Sequence, residues 1–288
     1  MLFTSNVIYR GMDRDALGVA YNNRAAVGDF DGVVARHAAL GEELVAQRGV
    51  RADVRYGEGA RQRLDLFGCG DPQAPLCVFV HGGYWQATQK EASRFLARGP
   101  LARGFSVALL EYTLAPEATL LEMVGEVRAA VSWLAARGGE LGFDGGALYL
   151  VGHSAGGQLV MEAYDHPSVR GLLPISGLFD LEPIRLCYLN DRLGLTEEDV
   201  ARLSPMAHLP VRCAPVVVAV GGEELPELRR QSSEYAEALE ARGLRVGYLS
   251  LAGRDHFSVL DELAAPEGGL CEALVRMRDS ERFLIYNK

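Results

Sequence analysis

Lysine is nearly missing from this 288-residue chain: it stands only at Lys90 and Lys288, and every other basic side chain of that length is arginine. The bias is compositional and carries no functional reading. Positive charge as a whole is short, with 29 Lys and Arg against 38 Asp and Glu, a net charge of −9. A nucleic-acid binder needs a basic face to meet phosphates, so that class of partner is excluded. Cysteine is sparse and scattered, at Cys69, Cys77, Cys187, Cys213 and Cys271. The number is odd and no CxxC pair occurs, which speaks against a disulfide framework or a zinc ribbon. Long apolar runs are missing too. The longest, residues 76–80 and 214–220, suit buried strands and fall far short of the roughly 20 residues a membrane helix requires. No basic segment followed by an apolar stretch opens the chain, and Asp13, Arg14 and Asp15 interrupt it early, so no signal peptide is read and a cytoplasmic location is expected. There is no HExxH, no Walker A lysine loop and no complete GxGxxG after a strand. The expectation is chemistry without metal or organic cofactor.

What is present describes an ordinary globular protein, 49% hydrophobic and 23% charged. Apolar residues run along the whole chain, which excludes disorder, and the length allows roughly three quarters of the unfolded surface to be buried without staples. From about residue 52, β-rich runs alternate with helical stretches. The expected strands are residues 52–56, 63–67, 76–81, 105–111, 147–152, 169–176, 215–221 and 245–251. Several are continuous apolar runs (LCVFV, SVALL, PVVVAV), the pattern of strands buried on both faces of a parallel sheet. Between them, Leu120, Val124, Val127, Val131 and Leu134 form one stripe at helical period. Further helices are expected near 90–103, 155–164, 227–242, 258–263 and 269–278. The alternation predicts a single α/β domain with a mostly parallel central sheet and helices on both faces. Residues 1–50 read as a helical arm packing on the sheet, and residues 178–210 as an excursion over the sheet's C-terminal edge, where α/β ligands bind.

The strongest chemical signal is Gly152-His153-Ser154-Ala155-Gly156, placed between an apolar strand and a helix. A serine hydroxyl needs exposure, a base and an oxyanion site, and a GxSxG turn lifts the serine above the sheet while the helix start offers the N–H of Ala155. The second signal is His81-Gly82-Gly83-Tyr84-Trp85 at the end of LCVFV. Its glycines allow close backbone approach and supply the other oxyanion donors; His81 reads as structural rather than as the base. Of the histidines that follow the serine, His166, His208 and His256, the last succeeds the final strand and is the expected base. A carboxylate is expected after PVVVAV, and Glu223, Glu224 and the earlier Asp180 all compete for the role. Asp255 reads as a helix cap.

These residues resemble the arylformamidases (kynurenine formamidases) of the α/β-hydrolase superfamily, whose mark is HGGxW. The resemblance rests on HGGYWQ at 81–86 and GHSAGG at 152–157. It extends to Asn22-Asn23-Arg24-Ala25, Tyr56-Gly57, Gln62-Arg63-Leu64-Asp65, Ser176-Gly177, Asp180-Leu181-Glu182-Pro183, Ser204-Pro205 and Arg230-Gln231-Ser232, and so covers nearly the whole chain. It implies Ser154 as nucleophile, His256 as base, and Glu224 as acid in a place where the family has aspartate. The implied reaction is hydrolysis of N-formyl-L-kynurenine to formate and L-kynurenine in tryptophan breakdown, with Gly82, Gly83 and Ala155 holding the oxyanion. The implied partner is a small aromatic substrate, for which Tyr84, Trp85, Phe179 and Tyr188 are the candidate wall; a homodimer is a family-level expectation. The main rival is a carboxylesterase or amidase acting on another small acyl ester, amide or carbamate, since fold and triad do not fix substrate. A second rival is a binding protein on the same fold, which every filled position of the site argues against.

Overall fold

A computed structural model of the chain describes residues 7–279. Among the described residues eight strands form one sheet: β1 (Arg51–Arg55), β2 (Arg63–Phe67), β3 (Leu76–Val80), β4 (Ser106–Leu110), β5 (Leu148–His153), β6 (Val169–Ile175), β7 (Val216–Gly221) and β8 (Val246–Leu251). Each lies within a residue or two of its expected position. Their order is β1-β2-β4-β3-β5-β6-β7-β8. β2 pairs antiparallel with β1 and β4, and every later pairing is parallel. The continuous apolar runs take the central places: β3, β4, β5 and β7 are buried along their whole length, whereas β1, at the edge, carries mostly exposed polar residues. That is the distribution a sheet covered on both faces demands.

The helices are α1 (Arg14–Ala20), α2 (Phe30–Arg48), α3 (Arg98–Ala102), α4 (Leu120–Leu141), α5 (Ala155–Met161), α6 (Glu182–Leu186), α7 (Asn190–Leu193), α8 (Glu197–Leu203), α9 (Pro226–Ala241), α10 (Asp261–Ala264) and α11 (Gly269–Arg278). A 3-10 helix at Lys90–Ala97 precedes α3, and another at Ser258–Leu260 precedes α10. Strand alternation splits the core in two. Leu76, Val78 and Val80 face one side with α1, α4, α5 and α9, while Cys77 and Phe79 face the other with Leu44 of α2, Phe95 and α11. α4 shows why the predicted stripe is a helix. Thr119 and Glu122 close a reciprocal capping box at its start, and Gly142 ends it in the left-handed conformation.

Residues 178–210 hold α6, α7 and α8 and add Leu178, Leu181, Ile184 and Leu203 to the first of those cores. The arm joins both cores, through Leu17 and Tyr21 on one side of the sheet and Leu44 on the other. Its long helix α2 packs chiefly on the 3-10 helix at Lys90–Ala97, and its residues reach the C-terminal edge of the sheet. No helix among the described residues is long and apolar enough to cross a membrane.

Candidate active site

β5 runs directly into α5 through Ser154, whose φ of 54° and ψ of −121° lie where an L-residue is strained. The flanking glycines make this turn possible. A Cβ on Gly152 would lie 2.1 Å from the carbonyl oxygen of Gly156, and one on Gly156 would lie 2.0 Å from that of Val80. The helix therefore starts hard against two strands, with Ser154 at its head and Ala155 as its first residue. The N–H of that first residue has no acceptor inside the helix.

The loop after β3 lies against this turn. A Cβ built on Gly82 would sit 2.9 Å from Ser154 Cβ and 2.8 Å from the His153 carbonyl oxygen, so only glycine brings this backbone so close to the serine. Gly83, Tyr84 and Trp85 all have positive φ (97°, 50° and 57°). The loop is held from below by His81, whose Nδ1 meets the Gly82 carbonyl at 2.9 Å and whose Nε2 meets Glu111 Oε1 at 3.0 Å. Burial pushes the Glu111 carboxyl upward, but the hydrogen bond and charge of His81, with Arg61 nearby, outweigh it and leave the pKa lowered. His81 is thus a structural anchor, as its sequence position suggested.

His256 follows β8. Its Nδ1 lies 2.6 Å from Glu224 Oε2, and the other carboxylate oxygen accepts from Ser176 Oγ at 2.5 Å and from the Gly221 N–H at 2.7 Å. Glu224 is 4% exposed, so its charge is held by three donors rather than by water. The competing carboxylates are elsewhere. Glu223 is exposed, Asp180 accepts from the Tyr9 hydroxyl, and Asp255 caps the turn at Phe257 and Ser258. Of the other histidines, His208 pairs with Glu162 and His166 accepts from the Ser168 N–H.

Sequence reasoning missed His153, the second residue of the GxSxG string. Its Nε2 donates to the backbone carbonyl of His256 at 2.8 Å, and the two rings lie 4.6 Å apart. Burial, then the neighbouring His256, pushes the His153 pKa well below the ordinary value, so it is a neutral ring that clamps the His256 backbone. Its place beside the serine was the only available signal.

Ser154, His153, His256, Gly82 and Gly83 open on one cleft of about 560 Å³, within the usual size for a small-molecule site. Tyr84 and Tyr188 line it as expected. Trp85 and Phe179 do not. Trp85 is fully buried under the loop, with Nε1 donating to Gln158 Oε1 at 3.2 Å, and Phe179 is fully buried and stacked on Tyr235 at 4.1 Å. Two successive positive-φ residues turn Trp85 away from the cleft that Tyr84 faces. The arm, expected merely to pack on the sheet, supplies much of the cleft wall through Tyr21, Asn23, Arg24, Phe30, Val34 and His37.

A separate group of acids, Asp53 of β1, buried Asp65 of β2 and Glu91 of the first 3-10 helix, converges away from the cleft. The ammonium of Lys90 already fills it, 3.1 Å from Asp53 and 3.0 Å from Asp65. That makes it an ion-pair network rather than a cation site.

The chain resembles known proteins over most of its length. The BD-FAE family model matches residues 67–167, which span the loop after β3 and the serine turn. The chain is 36% identical over 240 residues to the kynurenine formamidase of Danio rerio, covering 78% of this chain and 80% of that protein. The chain belongs to the kynurenine formamidase family. A second member, from Salmo salar, is 33% identical over 268 residues, covering 86% of this chain and 90% of the other. Among solved structures, a candidate thioesterase from a Silicibacter species superposes with a TM-score of 0.81 at 32% identity, covering 88% of this chain and 97% of its own. The fold is that of the α/β-hydrolases, and the protein is a hydrolase of arylformamide type.

Proposed function

We propose that this enzyme hydrolyses N-formyl-L-kynurenine to formate and L-kynurenine, with Ser154, His256 and Glu224 as its triad. The observation that carries the assignment of groups is the 2.6 Å contact of His256 with buried Glu224, in a cleft shared with the strained Ser154. The carboxylate only accepts, so His256 carries its proton on Nδ1 and leaves Nε2 free as the base. Ser154 Oγ attacks the formyl carbon as Nε2 takes its proton. The carbonyl oxygen becomes an oxyanion, held by N–H groups of Gly82, Gly83 and Ala155. Glu224 stabilises the imidazolium without taking the proton. The imidazolium then protonates the aniline nitrogen, the C–N bond breaks and kynurenine leaves. A water activated by His256 cleaves the formyl–Ser154 ester and releases formate.

Formyl is the smallest acyl group, which suits a serine with Gly82 packed directly against it. The leaving side must hold an aromatic ring, for which Tyr84 and Tyr188 supply apolar area. The test is hydrolysis of N-formyl-L-kynurenine followed by absorbance, beside 4-nitrophenyl acetate and with Ser154→Ala as control. Rapid, Ser154-dependent release of kynurenine, with the ester slower in kcat/KM and rate falling steeply from formyl to butyryl substrates, is the expected result. Cleavage of the ester alone leaves the triad standing and makes the protein a small-acyl esterase.

A further inference from the structure

One buried side-chain acceptor of the cleft has no partner among the described residues. Asn23 of the arm is 3% exposed and lines the cleft. Its neighbours dictate which way its amide faces. The single hydroxyl proton of Tyr84 goes to the backbone carbonyl of Tyr21 at 2.7 Å, an atom that only accepts. Burial raises the Tyr84 pKa well above the ordinary value, so that proton is present. The Tyr84 oxygen must then accept from Asn23, at 3.0 Å, which puts the NH2 on that side and Oδ1 on the other. Oδ1 is buried, and no donor among the described residues reaches it. Buried acceptors are almost always met. The other orphaned side-chain atoms, on Arg63, His208 and Ser232, belong to residues that do not line the cleft.

We propose that Asn23 Oδ1 accepts a hydrogen bond from an N–H of the substrate's leaving group, and that Asn23 is a specificity-determining residue favouring formyl anilides over esters. The inference deepens the formamidase reading and rests on it: when formyl is the whole acyl part, every N–H of the substrate lies on the leaving group. Two groups there can donate, the scissile aniline nitrogen and the α-ammonium of the amino-acid head. An aryl ester has an oxygen at the scissile place and leaves Oδ1 unmet.

The test compares Asn23→Leu with the native enzyme on two matched pairs of substrates. Formanilide and phenyl formate differ only in N–H against O at the scissile atom. N-formyl-L-kynurenine and its des-amino analogue differ only in the ammonium. Intrinsic reactivity cancels when each kcat/KM ratio is compared between variant and native. A neutral hydrogen bond to a buried acceptor is worth roughly tenfold. A fall of about tenfold in the first ratio assigns the bond to the scissile N–H, and the same fall in the second assigns it to the ammonium. Both ratios unchanged within about twofold, with rates falling in parallel, would overturn the proposal and leave Asn23 as a support for Tyr84. Asn23→Ala serves where the leucine variant does not fold. Native enzyme that cleaves phenyl formate and no formyl anilide would refute the formamidase reading instead. In that event the inhibition constants of formanilide and L-kynurenine against phenyl formate carry the comparison: about tenfold weaker binding of either in the variant supports the role, and no change overturns it.

Discussion

Replacing Glu224 by glutamine tests the triad more sharply than deleting it. The carboxylate oxygen that faces away from His256 receives the Ser176 hydroxyl and the Gly221 N–H. The hydroxyl can rotate, but the backbone N–H can only donate, so the glutamine carbonyl must take that side. Its NH2 is then presented to His256 Nδ1, where the carboxylate stood at 2.6 Å. An amide NH2 only donates, and the imidazole must answer by accepting on Nδ1 and carrying its proton on Nε2. The base then offers Ser154 a hydrogen where it needs a lone pair. Holding a triad histidine in the wrong tautomer lowers kcat by about 10⁴-fold in serine proteases, or about 5.5 kcal/mol of barrier. The same loss is expected here, with KM within about threefold and little change in thermal midpoint, because every buried donor keeps a partner. Steady-state kinetics on N-formyl-L-kynurenine and a melting curve decide it. Glu223→Gln, at an exposed side chain one residue away, is expected to be neutral. A kcat loss below about 100-fold in Glu224→Gln, or a larger one in Glu223→Gln, would refute the tautomer argument.

Gly82→Ala places a Cβ 2.8 Å from the His153 carbonyl and 2.9 Å from Ser154 Cβ, so the loop must move off the serine; kcat is expected to fall at least about 100-fold, as when one oxyanion donor is lost. Trp85→Phe removes the Nε1 donor to Gln158 and should cost about 1–3 kcal/mol in urea unfolding with KM unchanged, whereas a large KM effect would return Trp85 to the cleft wall. Asp261 offers a pH test. Burial raises its pKa, but hydrogen bonds from His37 and Arg36 outweigh that and bring it from 3.8 to about 2. A group whose folded pKa is depressed stabilises the fold above its unfolded value, so this contribution is complete above about pH 4 and is lost as pH falls through about 2. It is on the order of 1 kcal/mol after solvent screening, and Asp261→Asn should flatten the acid limb of a stability–pH curve by that amount.

What the chain discloses by itself divides along local and non-local lines. The eight strands are legible because LCVFV, SVALL and PVVVAV can lie buried only in a covered sheet, and the serine turn because its glycines fall between a strand and a helix. Glu224 against Glu223 was not legible from spacing, since both follow β7. Burial and the donors from Ser176 and Gly221 separate them, and those donors arrive from different strand ends. The aromatic wall was half legible. Tyr84 and Trp85 are neighbours, yet a run of left-handed backbone sends one ring to the cleft and the other into the core, and no pattern of residue types encodes that turn. The arm's share in the cleft wall was invisible for a related reason: helical spacing tells which face of α2 is apolar, not which residues beside it reach the cleft.

Where the arm sits decides how the site selects its substrate. The groups proposed to do the chemistry all sit at or just after the ends of β3, β5, β7 and β8, where any α/β-hydrolase can place them. Much of the wall comes instead from the arm, with Tyr188 of the segment before α7 and Tyr84 of the loop after β3. The arm is not a lid. Leu17 and Tyr21 are fully buried in the same core as the sheet, and the Tyr21 carbonyl is the acceptor that fixes the Tyr84 hydroxyl. Swinging the arm aside would strip both residues of their packing, at about 1.5–3 kcal/mol for each large apolar side chain exposed. Substrate must therefore enter past the parts of the wall that already meet solvent, among them Asn22, Arg24, Val34, Thr88 and Tyr188. On the proposed reading, discrimination then rests with Asn23 and Tyr84, which share this cleft with Ser154 and lie far from it in sequence.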